Sequence, residues 1–200
     1  MPRARAAPLV LASASPRRRQ LLAEAGVRFE VQPADIPERR APAEPPADYA
    51  ARLALAKARA VAQRLGPLPA RLVLGADTIV VLGEDVLGKP DDREHAVALL
   101  ERLAGRTHRV ITAVALLESA SRRTRHALVE SSVTLRRLEP SELRAYVASG
   151  EPLDKAGAYA LQGAGRRLVE KVEGSETNVI GLPMDETLAL LREAGLVGLP

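Results

Sequence analysis

The sequence predicts an α/β (α+β) fold, a sheet with helices packed on its faces, and three observations lead there. Short aliphatic runs alternate with helical periodicities in the order β-α-β-α-β-α-β-β-α-β-α. Hydrophobic residues make up 46% of the chain and charged residues 27%, the balance of a globular protein rather than a disordered one. The 200 residues are enough to bury a core without covalent staples, and there is no cysteine. One domain over residues 1–200, or two tightly packed lobes, is expected.

Leu9 to Ala12 has the pattern of a short buried strand. Ser13 to Pro16 turns the chain into a helix over Arg17 to Ala25, closed by Gly26. Phe29 to Gln32 is a second strand, and Pro33 to Ala47 a proline-rich charged loop. Asp48 is placed to cap a long helix to about Leu65, with Leu53, Ala56, Ala60 and Leu65 near one face. Leu72 to Leu82 reads as a buried strand interrupted at Gly75-Ala76-Asp77, followed by a loop from Gly83 to Asp91. Asp92 caps a helix to Leu103. His108 to Glu118 and Thr124 to Leu138 form two antiparallel strands, and Ser141 to Ala148 a helix. Gly150 to Gly165 is a glycine-rich loop. A strand around Arg167 to Val172, a turn over Gly174 to Leu182 and a helix from Pro183 to Ala194 complete the chain.

Several functions are excluded early. Without cysteine there is no thiolate nucleophile and no cysteine-held zinc. His95, His108 and His126 share no metal-ligand spacing and read as core or surface residues. The basic start superficially resembles a signal peptide, but its apolar run is about four residues, too short for one. No segment approaches the roughly 20 apolar residues of a membrane helix, so a cytoplasmic protein without a membrane partner is expected. The net charge of +4 admits nucleic acid, yet aromatics are only 2%, too few for stacking platforms, and no nucleic-acid partner is expected.

Four segments carry candidate chemistry. Ser13-Ala14-Ser15-Pro16-Arg17-Arg18 leaves a strand and opens a helix, where free N–H groups, hydroxyls and guanidiniums suit a polyphosphate. An ordinary serine cap followed by solvated arginines has the same pattern. Asp77 lies within LVLGADTIVVL, where a carboxylate is costly without a partner or a metal. Lys89 sits on a rigid Gly88-Lys89-Pro90 corner. Asp154-Lys155, continuing through Ala156-Gly157-Ala158-Tyr159 to Gln162, is either a ligand-facing loop or a flexible linker. Lysine occurs only at Lys57, Lys89, Lys155 and Lys171, whereas arginine carries the remaining positive charge. A compact ammonium is one reason for lysine to be kept at such places, chance the other. Glu38 alone is a solvated carboxylate or a metal ligand.

Taken together, LASASPRR at Leu11 to Arg18, YAARLALAKA at Tyr49 to Ala58 and LGADTIV at Leu74 to Val80 resemble the Maf family of nucleoside triphosphate pyrophosphatases. LGKP at Leu87 to Pro90, GEPLDKAGAYALQG at Gly150 to Gly163 and VEGSETNVIGLP at Val172 to Pro183 extend the resemblance over nearly the whole chain, in order. The resemblance implies a twisted central mixed sheet with flanking helices and two lobes around a nucleotide-binding cleft. It also implies a divalent metal, Mg2+ or Mn2+, and hydrolysis between the α and β phosphates. By position Asp77 would be the general base or a metal ligand, and Glu38 an acid near the metal. Ser13, Arg18, Lys57 and Lys89 would grip the triphosphate, with Ser15, Asp154 and Lys155 beside them. Pro37 stands where relatives often carry a second acid. Arg17, Thr78 and Gln162 resemble the subgroup acting on dTTP and UTP rather than the one preferring 7-methyl-GTP. Gln162 can both donate and accept toward a uracil edge. A nucleotide-binding regulator of septation without turnover is the other reading, and a homodimer is implied by resemblance alone.

Overall fold

A computed structural model describes residues 8–196 of the chain; the basic residues 1–7, part of the stretch weighed above as a leader, lie outside them. The sheet is mixed, with seven strands in the order β2-β1-β3-β5-β6-β7 and β4 paired on β3. The strands are β1 (Leu9–Leu11), β2 (Phe29–Val31), β3 (Leu72–Leu82), β4 (Asp85–Leu87), β5 (Thr107–Glu118), β6 (Thr124–Leu135) and β7 (Val169–Glu173). The helices are α1 (Pro16–Glu24), α2 (Pro46–Leu65), α3 (Arg93–Leu103), α4 (Pro140–Ala148), α5 (Glu176–Ile180) and α6 (Met184–Glu193). No helix among the described residues is long and apolar enough to cross a membrane. The mixed α/β sheet agrees with the expectation.

The chain divides into two compact units. Unit 1 holds Met1–Asp77, Thr112–Leu128 and Gly181–Pro200, and unit 2 holds Thr78–Ile111 and Val129–Ile180. In unit 1, β1 pairs in parallel with both β2 and β3, Leu9 lying opposite Phe29 on one side and Leu72 on the other. Strands buried on both faces read as continuous apolar runs, and Leu9, Val10 and Leu11 are wholly enclosed. In unit 2, Ala96, Leu99, Leu100 and Leu103 of α3 pack with Leu143, Tyr146 and Val147 of α4 and with Tyr159, Leu161 and Leu168.

Six expectations need correction. Strand β3 runs unbroken through Gly75-Ala76-Asp77. The chain then reverses into β4, which pairs antiparallel with β3, Val81 opposite Val86, where a loop was expected. Helix α2 starts at Pro46, whose fixed φ suits a first turn, and Asp48 lies inside that turn rather than capping it. Its buried face is Ala50, Leu53, Ala54, Lys57, Ala58, Val61 and Ala62, whereas Ala56, Ala60 and Leu65 are only half-buried. The glycine-rich loop is built of three short 3-10 turns, Glu151–Asp154, Ala156–Ala158 and Gly163–Leu168. The expected turn after Gly174 contains α5.

The small residues of α2 have a reason. Gly75 on β3 faces them so closely that a Cβ there would stand 2.8 Å from Ala58 N and nearer still to Ala54 O. Backbone, not a flexible side chain, is in the way, so α2 would have to retreat. Gly75→Ala should therefore destabilise the protein by ~1–3 kcal/mol, as overpacking does, measured by urea unfolding. Unchanged stability would show that α2 is not seated on Gly75.

Candidate functional site

In unit 1 the seated helix delivers Lys57 to Asp77. Lys57 lies on the apolar face of α2, and its Nζ is 2.6 Å from Asp77 Oδ1 on β3 and 2.6 Å from Glu38 Oε1. The Asp77 side chain is 8% exposed and that of Glu38 45%, so one carboxylate is enclosed and the other faces outward. Burial pushes the Asp77 carboxyl above its ordinary range, while the charge and hydrogen bond of Lys57 and the charge of Arg18 pull it down. Oδ1 is taken by Lys57, and Oδ2 has no hydrogen-bond partner among the described residues.

The loop carrying Glu38 is tied to α2. Tyr49 Oη donates to Glu38 O at 3.0 Å, Arg52 donates to Arg39 O at 2.9 Å, and the Arg52 guanidinium forks onto Glu44 at 2.6 and 2.8 Å. Tyr49 was not singled out from the sequence. Its place one helical turn before Leu53 looks like ordinary core patterning, and only the loop's path reveals its second task.

The first turn of α1 is equally specific. Pro16 occupies its first position, and Ser15 Oγ accepts from Arg18 N at 3.5 Å. Arg18 is buried; its Nε donates to Gly181 O at 2.8 Å and its Nη1 to Ser13 Oγ at 3.2 Å. Ser13 Oγ also accepts from Ser15 N at 3.2 Å. Burial lowers the Arg18 pKa, against the opposing pull of Asp77 and Glu38. Arg17, beside it, is half-buried. Of the candidates, then, Ser13, Ser15, Arg17, Arg18, Glu38, Lys57 and Asp77 belong to unit 1.

Thr78, Lys89, Asp154, Lys155 and Gln162 belong to unit 2. Thr78 is half-buried on β3. Lys89 is exposed and pairs with no carboxylate among the described residues. Gly157 N donates to Gly88 O at 3.0 Å, which joins the Lys89 corner to the turn following Lys155. Lys155 Nζ donates to Asp154 Oδ1 and to Glu151 O. Gln162 is half-buried, and its amide makes no hydrogen bond among the described residues. Nearby, Tyr159 Oη lies 2.7 Å from Nε2 of buried His108. Burial lowers His108 to about 4, so it is neutral at neutral pH, and raises Tyr159.

The two carboxylates expected near a divalent metal both lie in unit 1. Glu38 and Asp77 converge on one ammonium, so their oxygens are no more than two ion-pair lengths apart. Among the described residues no cluster of three metal-ligating side chains occurs. One or two carboxylates with phosphate oxygens and water are what a magnesium-type ion takes, whereas a closed protein cage is not its habit.

Removing the central ammonium tests this account. Lys57→Met leaves Asp77 enclosed without its cation and should cost ~3–5 kcal/mol near neutral pH. The lost ammonium raises the folded-state pKa of Asp77 further above its unfolded value. Only the ionised form is penalised, so the deficit should fade as pH falls through that raised value. Urea unfolding across the acid range measures it; a deficit independent of pH would mean that Lys57 matters only as packing.

Comparison with known proteins covers nearly the whole chain. The family model described as Maf-like protein matches residues 8–194. A relative from Myxococcus xanthus named dTTP/UTP pyrophosphatase is 55% identical over 188 residues, covering 94% of this chain and 93% of its own. Relatives of the same name from Anaeromyxobacter dehalogenans and Escherichia coli O157:H7 are each 53% identical, over 189 and 184 residues. They cover 94% and 92% of this chain, and 94% and 91% of their own. With its family model matched almost end to end, the chain belongs to the Maf-like protein family.

Proposed function

We propose that the protein hydrolyses dTTP and UTP to the nucleoside monophosphate and pyrophosphate, in the cytoplasm and with Mg2+ or Mn2+. The observation that carries this is Asp77, an enclosed carboxylate held by Lys57 in a chain whose relatives are named dTTP/UTP pyrophosphatases. A carboxyl with raised proton affinity is a better general base than an ordinary surface aspartate.

A water oxygen bonds to the α-phosphorus and its proton passes to Asp77 Oδ2, the oxygen that Lys57 leaves unused. The bond from the α-phosphorus to the bridging oxygen breaks, and pyrophosphate departs. Lys57 keeps Oδ1 occupied, so the carboxylate plane is fixed before substrate arrives. In unit 1 Arg18, itself fixed by Gly181 and Ser13, supplies positive charge with Arg17, and Ser13 and Ser15 add hydroxyls at the start of α1; in unit 2 Lys89 and Lys155 are the cations suited to phosphate. Glu38 and Asp77 would hold the metal, which when bound offsets phosphate charge. Gln162, with Thr78 of the same unit, reads the base. Its free amide has both the donor and the acceptor that a uracil or thymine edge requires.

Given UTP and magnesium, the protein should release UMP and pyrophosphate in equal amounts, and Asp77→Asn should lose ~10²–10⁴ in rate while still binding nucleotide. Separate phosphate and pyrophosphate readouts decide the bond. Orthophosphate with UDP would overturn the reaction, and binding without turnover would favour a regulator. A preference for 7-methyl-GTP over UTP would overturn the substrate.

A further inference from the structure

Glu151 opens the segment that ends at Gln162, and its carboxylate, on a half-buried residue, is hydrogen-bonded within the fold on both oxygens. Oε1 accepts from Gly165 N and from Tyr146 Oη, both at 3.0 Å, and Oε2 accepts from Ala164 N at 3.0 Å. Its own carbonyl takes Lys155 Nζ. Two glycines make this approach possible. Gly163 has φ +68°, and a Cβ there would stand 2.7 Å from Glu151 Oε2; a Cβ on Gly165 would stand 2.6 Å from Tyr146 Oη. The turn immediately after Gln162 is thus wrapped around one carboxylate. On the other flank Tyr159 is anchored to His108.

We propose that Glu151 is a positioning residue for base selection: it fixes the turn behind Gln162 so that the Gln162 amide is presented in one orientation. An amide free to turn over offers its donor and acceptor either way round, and would accept cytosine as readily as uracil. No hydrogen bond among the described residues holds the Gln162 amide itself, so what the fold fixes is the backbone and the half-buried side chain that carry it. Burial favours a protonated Glu151, but the backbone N–H groups of Ala164 and Gly165 and the Tyr146 hydroxyl outweigh it and hold the carboxyl below its ordinary range. It therefore remains an acceptor on both oxygens at neutral pH.

The proposal rests on Gln162 reading the base, and the experiment separates the two. Glu151→Gln keeps the shape but has one acceptor oxygen; its NH2 must confront either Ala164 N–H or the Gly165 and Tyr146 donors. The ratio of kcat/KM for UTP over CTP should fall roughly tenfold, the worth of about one lost hydrogen bond. The loss should appear in KM for UTP, with kcat within about threefold, because base contacts are uniform binding. Amide exchange at Ala164 and Gly165 should accelerate in the same variant. Gln162→Ala is the control. If it leaves the ratio unchanged, the base is read elsewhere and the underlying assignment fails. If it lowers the ratio while Glu151→Gln does not, Glu151 is structural and this inference is overturned. Should Glu151→Gln not fold, Tyr146→Phe removes one bond to the same carboxylate, and about two- to fivefold loss of the ratio is expected. An unchanged ratio there overturns the inference as well.

Discussion

The ammonium of Lys57 between Asp77 and Glu38 is the contact on which the rest of unit 1 depends. An enclosed carboxylate is expensive unless paired, and its pairing cation must itself be brought out of water. The fold meets this with geometry. Gly75 and the alanines of α2 let helix and strand approach, and the approach puts Lys57 within 2.6 Å of Asp77. A helix held further away by bulkier residues would leave the carboxylate without its partner. The small residues are therefore part of the chemistry, although none of them reacts.

Glu38 closes the arrangement from the outer side. Its loop has no regular structure, yet Tyr49 and Arg52 on α2 hold its backbone, so the helix that carries Lys57 also positions the acid that meets it. One element thus sets two of the three charged partners. Unit 2 uses a carboxylate differently. The Glu151 carboxylate accepts from two backbone N–H groups and a tyrosine hydroxyl, where that of Asp77 accepts from an ammonium. The two acids show how similar groups are given separate tasks by what donates to them.

Much of this was legible in the sequence. The apolar run around Asp77 marked it as a carboxylate in need of a partner, and the strand-to-helix start at Ser13 to Arg18 was visible from its caps. What stayed hidden was the identity of the partner, because Lys57 is remote in sequence and its apolar-face position emerges only when the period of α2 is phased on Leu53-Ala54 rather than Ala56-Ala60. Strand β3 looked interrupted because Gly-Ala-Asp has low strand propensity, yet it runs unbroken through them, between its pairing with β1 at Leu72 to Leu74 and its pairing with β4 at Val80 to Leu82. Glu151 was unreadable: in sequence a glutamate after Gly150 is a solvated charge, and its ligands are backbone N–H groups some 13 residues later.

The central claim is that Lys57 sets the proton affinity of the carboxylate that activates water. Carbon-13 NMR titration of the Asp77 carboxyl, alongside the pH profile of UTP kcat/KM, tests it most directly. The account predicts that Asp77 titrates above the ordinary aspartate range, that the acid limb of the rate follows the same titration, and that Lys57→Met moves the titration upward by about one unit or more. An Asp77 that titrates in the ordinary range and does not respond to loss of Lys57 would contradict it.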